Sequence, residues 1–114
     1  MKITHYSFGK MVVDGNEYTK DLIVFPDSVS PSWWRKEGHS LCMEDLEDVF
    51  KREINVLVVG TGAYGRMIVN EKLIQDLKNK GIETYVSETD KAVLLFNKFS
   101  EEGKKVAGAF HLTC

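Results

Sequence analysis

This sequence is poor in cysteine and lacks both a long apolar run and a targeting segment. Its two cysteines, Cys42 and Cys114, are too few for a disulfide framework, so we expect reduced thiols. No apolar run approaches the ~20 residues that a membrane-spanning helix needs, and the first residues lack the apolar segment of a signal peptide. These absences predict a cytoplasmic protein with no membrane partner.

The sequence also lacks an excess of basic residues. It has 15 lysines and arginines against 17 aspartates and glutamates, a formal net charge of -2. A general nucleic-acid binder needs a basic face to displace counterions, so nucleic acid is not expected as a partner. The 114 residues, 43% of them hydrophobic, predict one globular domain, 1–114, that buries roughly two thirds of its unfolded surface.

The first part of the chain reads as short strands. Asp14-Gly15-Asn16 between apolar runs predicts a β-hairpin, because these residues tolerate positive φ, so the first two strands are expected to pair antiparallel. A third strand is predicted at residues 22–25 and ends at Pro26, which has no amide to donate. An irregular stretch, residues 30–39, follows.

The apolar run Val56-Leu57-Val58-Val59, which follows Asn55, stops in the glycine loop, which we define as residues 60–65. A run without polar alternation predicts a strand covered on both faces, at the centre of a sheet. Residues 82–86 and 106–112 are predicted as two further strands. In open α/β sheets the carboxyl end of a central strand is the usual place for a ligand, so the glycine loop is a candidate site.

Three helices are predicted from their capping signals. The first begins at Cys42, with Asp45 at the third helical position, where a carboxylate suits the exposed amides. The second begins after Asn70 and ends at Gly81. The third begins near residue 89 and ends at Gly103.

The glycine loop matches the GxGxxG pattern of dinucleotide-binding proteins. Its context argues against that function, because the next helix starts only at Asn70 and about one strand follows Val86, too little for a doubly wound sheet. Two alternatives remain. The loop is either a tight turn where glycine lets the backbone cross another segment, or a small anion site formed by successive amides with Arg66 as counter-charge.

Two His-x-x-Cys pairs, His39 with Cys42 and His111 with Cys114, have the residue types of a tetrahedral zinc shell. The pairs are far apart in sequence, and zinc binding requires that the fold bring them together. In the alternative, Cys42 is a small helix-capping residue, and Cys114, as the terminal residue, is expected to be mobile. We expect the alternative, and therefore no metal.

The stretch Trp33-Trp34-Arg35-Lys36, with His39 close behind, mixes aromatic and basic side chains. Such a mixture is typical of a partner-binding surface. In the alternative, one ring lies in the core and the basic groups are solvated. An extended backbone sends neighbouring side chains to opposite faces, so one of the two tryptophans is expected to be exposed.

Several segments, taken in order and spacing, resemble the Mth-domain family of small proteins of unknown function. They are Val58-Val59-Gly60-Thr61-Gly62, Leu77-x-x-x-Gly81-Ile82, Thr89-x-x-Ala92-x-x-x-Phe96-Asn97-x-Phe99 and Glu102-Gly103-Lys104-Lys105-Val106-Ala107. Eukaryotic members of this family include an adipogenesis-associated Mth-domain-containing protein and a mitochondrial complex I assembly factor. The resemblance implies a compact α/β domain with a mixed sheet, about three helices and a hammerhead-like excursion of the early strands, not a dinucleotide-binding fold.

The resemblance implies no enzyme activity, so we expect a non-enzymatic binding or assembly-type module. Its expected partner surface consists of Trp33, Trp34, Arg35 and His39. The alternative is a small-molecule or anion site, enzymatic or not, formed by Gly60, Thr61, Gly62, Arg66 and Asn97. Asn97 is polar on an otherwise apolar helix and matches the family pattern; in a structural role it would bond a nearby carbonyl. No cofactor is expected, the protein partner is unknown, and a homodimer is compatible with so small a domain.

Overall fold

The computed structural model describes residues 1–114, which form eight strands and three α-helices. The strands are β1 (Ile3–Ser7), β2 (Lys10–Val13), β3 (Asn16–Tyr18), β4 (Leu22–Val24), β5 (Val29–Ser30), β6 (Val56–Thr61), β7 (Glu83–Ser87) and β8 (Val106–His111). A 3-10 turn at Met43–Leu46 leads into α1 (Glu47–Phe50), which is followed by α2 (Glu71–Asn79) and α3 (Thr89–Glu101). No helix combines the length and apolar character needed to cross a bilayer.

The strands form two sheets. A small antiparallel sheet has the order β1-β2-β3, and a large sheet has the order β5-β4-β8-β6-β7. In the large sheet β6 runs parallel to both β7 and β8, whereas β4 runs antiparallel to β8 and β5. The predicted α/β fold with a mixed sheet and an early antiparallel excursion is therefore confirmed.

The hairpin predicted at Asp14 and Gly15 is present and joins β2 to β3. Both residues have positive φ, 47° and 83°, as the tightest hairpin turns require. The expectation of two early strands is wrong, because a further hairpin at Gly9, with φ 76°, joins β1 to β2. Gly9 lacks an Asn or Asp before it, so this turn has a weaker sequence signal than Asp14-Gly15.

The predicted central strand corresponds to β6, whose six residues are all buried. Its position needs a correction: β8 is the middle strand of the five, and β6 lies between β8 and the edge strand β7. Two apolar clusters cover the faces of the large sheet. One contains the buried residues of α1 and α2, and the other contains those of α3 and the small sheet. The two clusters exclude water from both faces of β6, which explains the unbroken apolar sequence of this strand.

The predicted caps of the first two helices are confirmed, whereas α3 begins after Glu88 without a side-chain cap. Cys42 and Asp45 form a reciprocal capping box at the start of the 3-10 turn. The side chain of Asn70 accepts a hydrogen bond of 2.8 Å from the amide of Leu73 at the start of α2. Gly81 follows this helix with φ 81°, in the left-handed conformation that glycine adopts without strain.

Candidate functional site

The tryptophan segment, residues 33–39, holds one indole ring in the core and presents the next to solvent. Trp33 is 8% exposed and Trp34 is 79% exposed, so the prediction of one exposed tryptophan is confirmed. The Trp33 amide donates to the carbonyl of Asp21, and its indole Nε1 donates to the carbonyl of Asp45, each at 2.8 Å. Trp33 is thus anchored through both its backbone and its ring, and this fixes the backbone that carries Trp34.

The Asp21 cluster, formed by the part-buried Asp21 with the buried Arg35 and His111, ties the tryptophan segment to the end of β8. Arg35 Nη2 and His111 Nδ1 each lie 2.8 Å from the same oxygen, Asp21 Oδ2. The other carboxylate oxygen accepts from the amide of Leu112 at 2.8 Å. Arg35 Nη2 also lies 3.1 Å from His111 Nδ1, so this nitrogen faces both a donor and an acceptor. The ionised Asp21 carboxylate, at the shorter distance of 2.8 Å, favours a proton on Nδ1.

The charge of Asp21 is maintained by its neighbours. Burial by itself would raise the pKa of Asp21, but the hydrogen bonds from His111, the Leu112 amide and Arg35 outweigh it and hold the pKa below its ordinary value of 3.8. Arg35 also stacks over the Trp33 ring, 4.6 Å from its centroid. Asp21 is therefore ionised at neutral pH.

The cluster has the carboxylate and imidazole of a general base, but it is enclosed. His111 is 6% exposed and Arg35 is 8% exposed. Three of their buried nitrogens, Arg35 Nε and Nη1 and His111 Nε2, have no hydrogen-bond partner in the chain. A substrate would have to displace packed residues to reach His111 Nε2, so the visible role of the cluster is to fasten the tryptophan segment.

Five of the six backbone amides of residues 62–67 donate to acceptors of the chain itself, and the exception is Tyr64. The donors are Gly62, Ala63, Gly65, Arg66 and Met67, and their acceptors are Thr89 Oγ1 and the carbonyls of Thr113, Gly62, Cys114 and Thr61, respectively. An anion site of successive amides needs those amides free to point at the ligand. In this conformation the five amides are engaged, and two of them hold the last two residues of the chain.

Both glycines that begin the loop are required by close packing. A Cβ at Gly62, where φ is 107°, would lie 2.6 Å from the carbonyl carbon of Cys114 and 2.8 Å from His111 Cδ2. A Cβ at Gly60 would lie 2.8 Å from Thr89 Oγ1. These contacts agree with the tight-turn alternative, in which glycine lets one backbone segment cross another.

The other residues expected to line a loop pocket lie apart from one another. The Thr61 hydroxyl donates to the carbonyl of Ser87 at 3.1 Å, and Arg66 is exposed. Asn97 lies on α3, eight residues beyond the Thr89 that contacts the loop, or about 12 Å along the helix axis. The structure therefore does not bring Asn97 to the glycine loop.

Asn97 instead clamps the first strand to α3. Its side-chain oxygen accepts from the amide of Ile3 at 2.9 Å, and its side-chain nitrogen donates to the carbonyl of Ile3 at 2.7 Å. We expect Asn97→Ala to lower the free energy of unfolding by about 1–2 kcal/mol, because it removes both bonds from a part-buried site. It should also speed hydrogen exchange at the Ile3 amide.

The exposed Lys98, next on the same helix, supplies the control. Lys98→Ala should change the unfolding free energy by less than about 0.5 kcal/mol, since surface substitutions have small effects. Urea titration and amide exchange measured on both variants test the clamp. Equal Ile3 exchange in Asn97→Ala and the unmodified chain would contradict it.

The four residues of the suggested zinc set meet only in part. The rings of His39 and His111 lie edge to face with centroids 5.8 Å apart. Cys42 is turned to its capping role and donates its thiol hydrogen to Asp45 at 3.1 Å. Burial and this carboxylate raise the pKa of the Cys42 thiol, which disfavours the thiolate that zinc requires. No group of three or more His, Cys, Asp or Glu residues is arranged to hold a metal ion.

A cleft of about 160 Å³ lies beside the exposed Trp34 ring. Four carboxylate residues contribute to its lining, and no basic residue does: the four are Glu44, Asp45, Glu47 and Asp48. Lys36, outside the lining, pairs with Glu44 at 2.8 Å. The exposed indole of the tryptophan segment is thus bordered by negative charge.

Asp21 is the site residue that sequence reasoning missed. It stands between Lys20 and Leu22 with no motif or repeated spacing around it. Its partners His111 and Arg35 are 90 and 14 positions away, so their meeting depends on the pairing of β4 with β8. The only local signal is an acidic residue placed directly before a buried strand.

Two curated relatives have the same name, NADH dehydrogenase (ubiquinone) 1 alpha subcomplex assembly factor 3. The Danio rerio protein is 31% identical over 110 residues, which cover 94% of this chain and 62% of the relative. The Homo sapiens protein is 29% identical over 112 residues, which cover 96% of this chain and 59% of the relative. The chain thus spans about three fifths of the length of these relatives.

Solved structures share the fold along almost the whole chain. A conserved hypothetical protein from Pyrococcus horikoshii is 26% identical, with a TM-score of 0.82 and complete coverage, 100%, of both chains. A Bordetella pertussis protein described as a Mth938-like domain has a TM-score of 0.74 over 97% of this chain and 85% of its own. At 18% identity, the second likeness shows the fold alone.

A family model also matches almost the whole chain. Its description is "Protein of unknown function (DUF498/DUF598)", and it matches residues 3–111. This span includes β1 through β8, together with the tryptophan segment and the Asp21 cluster. The resemblance to the Mth-domain family is confirmed, and the chain belongs to the DUF498/DUF598 family of proteins of unknown function.

Proposed function

We propose that this chain is a non-enzymatic, assembly-type module that binds a protein partner through Trp34 and the tryptophan segment. The observation that carries the proposal is the Trp34 side chain, 79% exposed on a backbone whose flanking side chains, Trp33 and Arg35, are each 8% exposed. A partner that covers the indole removes a large apolar surface from water, which favours binding. Tryptophan is also enriched among residues that dominate binding energy.

The anchoring of the segment favours binding. Association costs free energy when loops and side chains must be ordered, and an element already held in place avoids part of that cost. Trp33 is hydrogen-bonded through its amide and its indole nitrogen, and Arg35 is ion-paired to Asp21 at 2.8 Å. The two buried neighbours therefore present Trp34 in a fixed place.

The assembly-type role is carried over from the relatives named as assembly factors, one of them 31% identical. The identity of the partner is not carried over.

We propose the cytoplasm as the location, since the thiols of Cys42 and Cys114 are free, as a reducing compartment favours. The glycine loop adds nothing to this proposal, because among residues 62–65 only the Tyr64 amide is without an acceptor in the chain, and an anion site needs several free amides.

We expect Trp34→Ala to lose a specific protein partner without loss of the fold. The test is affinity purification of the tagged chain from its own cells after cross-linking, with retained proteins identified by mass spectrometry. A retained protein is then purified and titrated against both forms of the chain. Removing a central tryptophan should weaken this binding by at least about tenfold, equivalent to about 1.4 kcal/mol.

The matched control is Leu94→Ala on α3, since Leu94 is 71% exposed and lies outside the tryptophan segment. It should retain the partner with unchanged affinity. Thermal unfolding of both variants within a few degrees of the unmodified chain establishes that each is folded. The proposal fails if Trp34→Ala retains the same proteins as the unmodified chain.

A further inference from the structure

We infer that the partner presents an extended, basic peptide segment, which adds a strand beside residues 32–34 and places an arginine or lysine side chain on the Trp34 ring. This inference rests on the proposed function and specifies the chemistry of the partner at the same surface. It combines three features: an open backbone edge, a negatively charged cleft, and a cleft volume that suits one long side chain.

The open edge continues from β5, the last strand on one side of the large sheet. Ser30 pairs with Ile23 of β4, and farther along the Trp33 amide donates to the carbonyl of Asp21 at 2.8 Å. The chain after β5 therefore still follows the sheet. The amide and carbonyl groups of Ser32 and Trp34 make no hydrogen bond within the chain. Unpaired groups along a sheet edge are a template for another strand.

The charge of the cleft favours a basic segment. Asp45 is engaged with the amides of Lys36 and Cys42, and Glu44 is paired with the ammonium of Lys36. The exposed Glu47 has no ion pair within the chain. Asp48 has only a 3.8 Å contact with Lys51, both of them mostly exposed.

Two carboxylates beside the Trp34 ring thus remain available to a cation. Complementary charge at an interface selects the partner and suppresses wrong ones. An acidic segment would meet repulsion here from both carboxylates.

The volume of the cleft favours one side chain over a metabolite. At about 160 Å³ it equals roughly five times the ~30 Å³ that one water occupies in the liquid. Small-molecule sites usually have about 300–1,000 Å³. A long basic side chain would pack its stem in the cleft and set its charge against the indole face, the strongest aromatic partner for a cation. Arginine fits best, because its planar guanidinium stacks on aromatic rings.

The opposite edge of the large sheet, β7, supplies a comparison. The groove beside β7 has about 490 Å³ and includes both Lys78 and Glu83 in its lining. It carries charges of both signs and no exposed tryptophan, so nothing there selects a basic segment. Glu83 is therefore a suitable position for a control substitution.

The test uses fluorescent peptides with the full chain. One peptide alternates arginine and threonine, and its matched counterpart alternates glutamate and threonine. Fluorescence anisotropy should show binding of the arginine peptide and none of the glutamate peptide. Trp34→Ala should weaken binding by at least about tenfold, and Glu47→Gln by a smaller factor, whereas Leu94→Ala and Glu83→Gln leave it unchanged. If the arginine peptide were attracted only by negative charge in general, Glu83→Gln and Glu47→Gln would weaken its binding equally.

Strand addition is tested separately with backbone-methylated peptides. One arginine peptide carries N-methyl groups on its arginines, and a second carries them on its threonines. The amides of alternate residues in a strand point to opposite edges, so each peptide lacks amide donors along one edge. If the peptide adds a strand, one of the two forms loses binding and the other retains it. Equal binding of both forms would overturn strand addition.

The inference is overturned if the arginine peptide binds no better than the glutamate peptide, or if Trp34→Ala binds it as well as the unmodified chain does. In either case a partner that is lost on Trp34→Ala in the affinity purification leaves the proposed function standing. A purification in which Trp34→Ala loses no partner removes the proposed function, whatever the peptides show. The two failures are thus distinguishable.

Discussion

Replacing Asp21 by asparagine is expected to lower the free energy of unfolding by about 3 kcal/mol. The substitution leaves the Arg35 guanidinium, whose side chain is 5% exposed, without its buried counter-charge. Asparagine keeps one acceptor oxygen and has an NH2 donor in place of the other, so it cannot accept on one side from the Leu112 amide and on the other from Arg35 and His111. Urea denaturation measures this loss of stability. An unchanged slope of the unfolding free energy against urea concentration would show that the variant folds as compactly as the unmodified chain.

Asp27→Asn is the matched control for this prediction. Asp27 is also paired with an arginine, Arg52, at 3.3 Å, but its side chain is 79% exposed. Water screens such a pair, so its loss should cost less than about 1 kcal/mol. Equal losses in Asp21→Asn and Asp27→Asn would contradict the buried cluster as a fastening of the tryptophan segment.

The same pair of variants has an expected pH dependence. The folded-state pKa of Asp21 lies below its ordinary value of 3.8, so near that pH the unfolded state binds more protons than the folded state. The stability contributed by Asp21 is therefore present above about pH 4 and is lost as the pH falls through the folded-state pKa. Asp21→Asn should flatten this acid limb of the stability curve, and Asp27→Asn should leave it in place.

Gly62→Ala is expected to cost about 3 kcal/mol or more of unfolding free energy. Two effects combine, a left-handed φ of 107° and a Cβ that would lie 2.6 Å from the backbone of Cys114 and 2.8 Å from the ring of His111. The chain end is held against the loop by the amides of Ala63 and Arg66. Displacing it should speed hydrogen exchange at both amides, which nuclear magnetic resonance can follow.

Gly81→Ala separates the conformational effect from the packing effect. Gly81 also has positive φ, 81°, but a Cβ there would meet nothing within 4 Å. We expect a loss of about 1 kcal/mol, the usual cost of a side chain in the left-handed region. If both alanine variants lose the same stability, the crossing of the chain end over the glycine loop does not require Gly62.

Features encoded by neighbouring residues were predictable from the sequence. The turn at Asp14 and Gly15, the capping box of Cys42 with Asp45, and the cap at Asn70 depend on contacts within three residues. The apolar run of β6 predicted a strand covered on both faces for a similar reason, since burial on both faces excludes polar side chains. The position of β6 in the sheet order depends on β8, which lies beside it. No local sequence pattern specifies that β8 pairs with β6.

The candidate site was predictable only in part. Trp34 could be expected at the surface because an extended backbone sends Trp33 and Trp34 to opposite faces. The Asp21 cluster could not be expected, because its members belong to three separate parts of the chain. Asn97 was correctly identified as unusual for an apolar helix, but its two bonds to Ile3 are visible only once β1 lies against α3.

The sequence by itself determined the hairpin turn at Asp14 and Gly15, the caps of the first two helices, that glycine is required after β6, and that one tryptophan faces solvent. The tertiary structure alone decided the use of those features. It placed the chain end against Gly62, where the last two residues accept hydrogen bonds from the amides of Ala63 and Arg66. It also joined Asp21, Arg35 and His111 next to the tryptophan segment. The physical reason is range: turns and caps are set by nearby residues, whereas the partners of a buried charge are set by the pairing of distant strands.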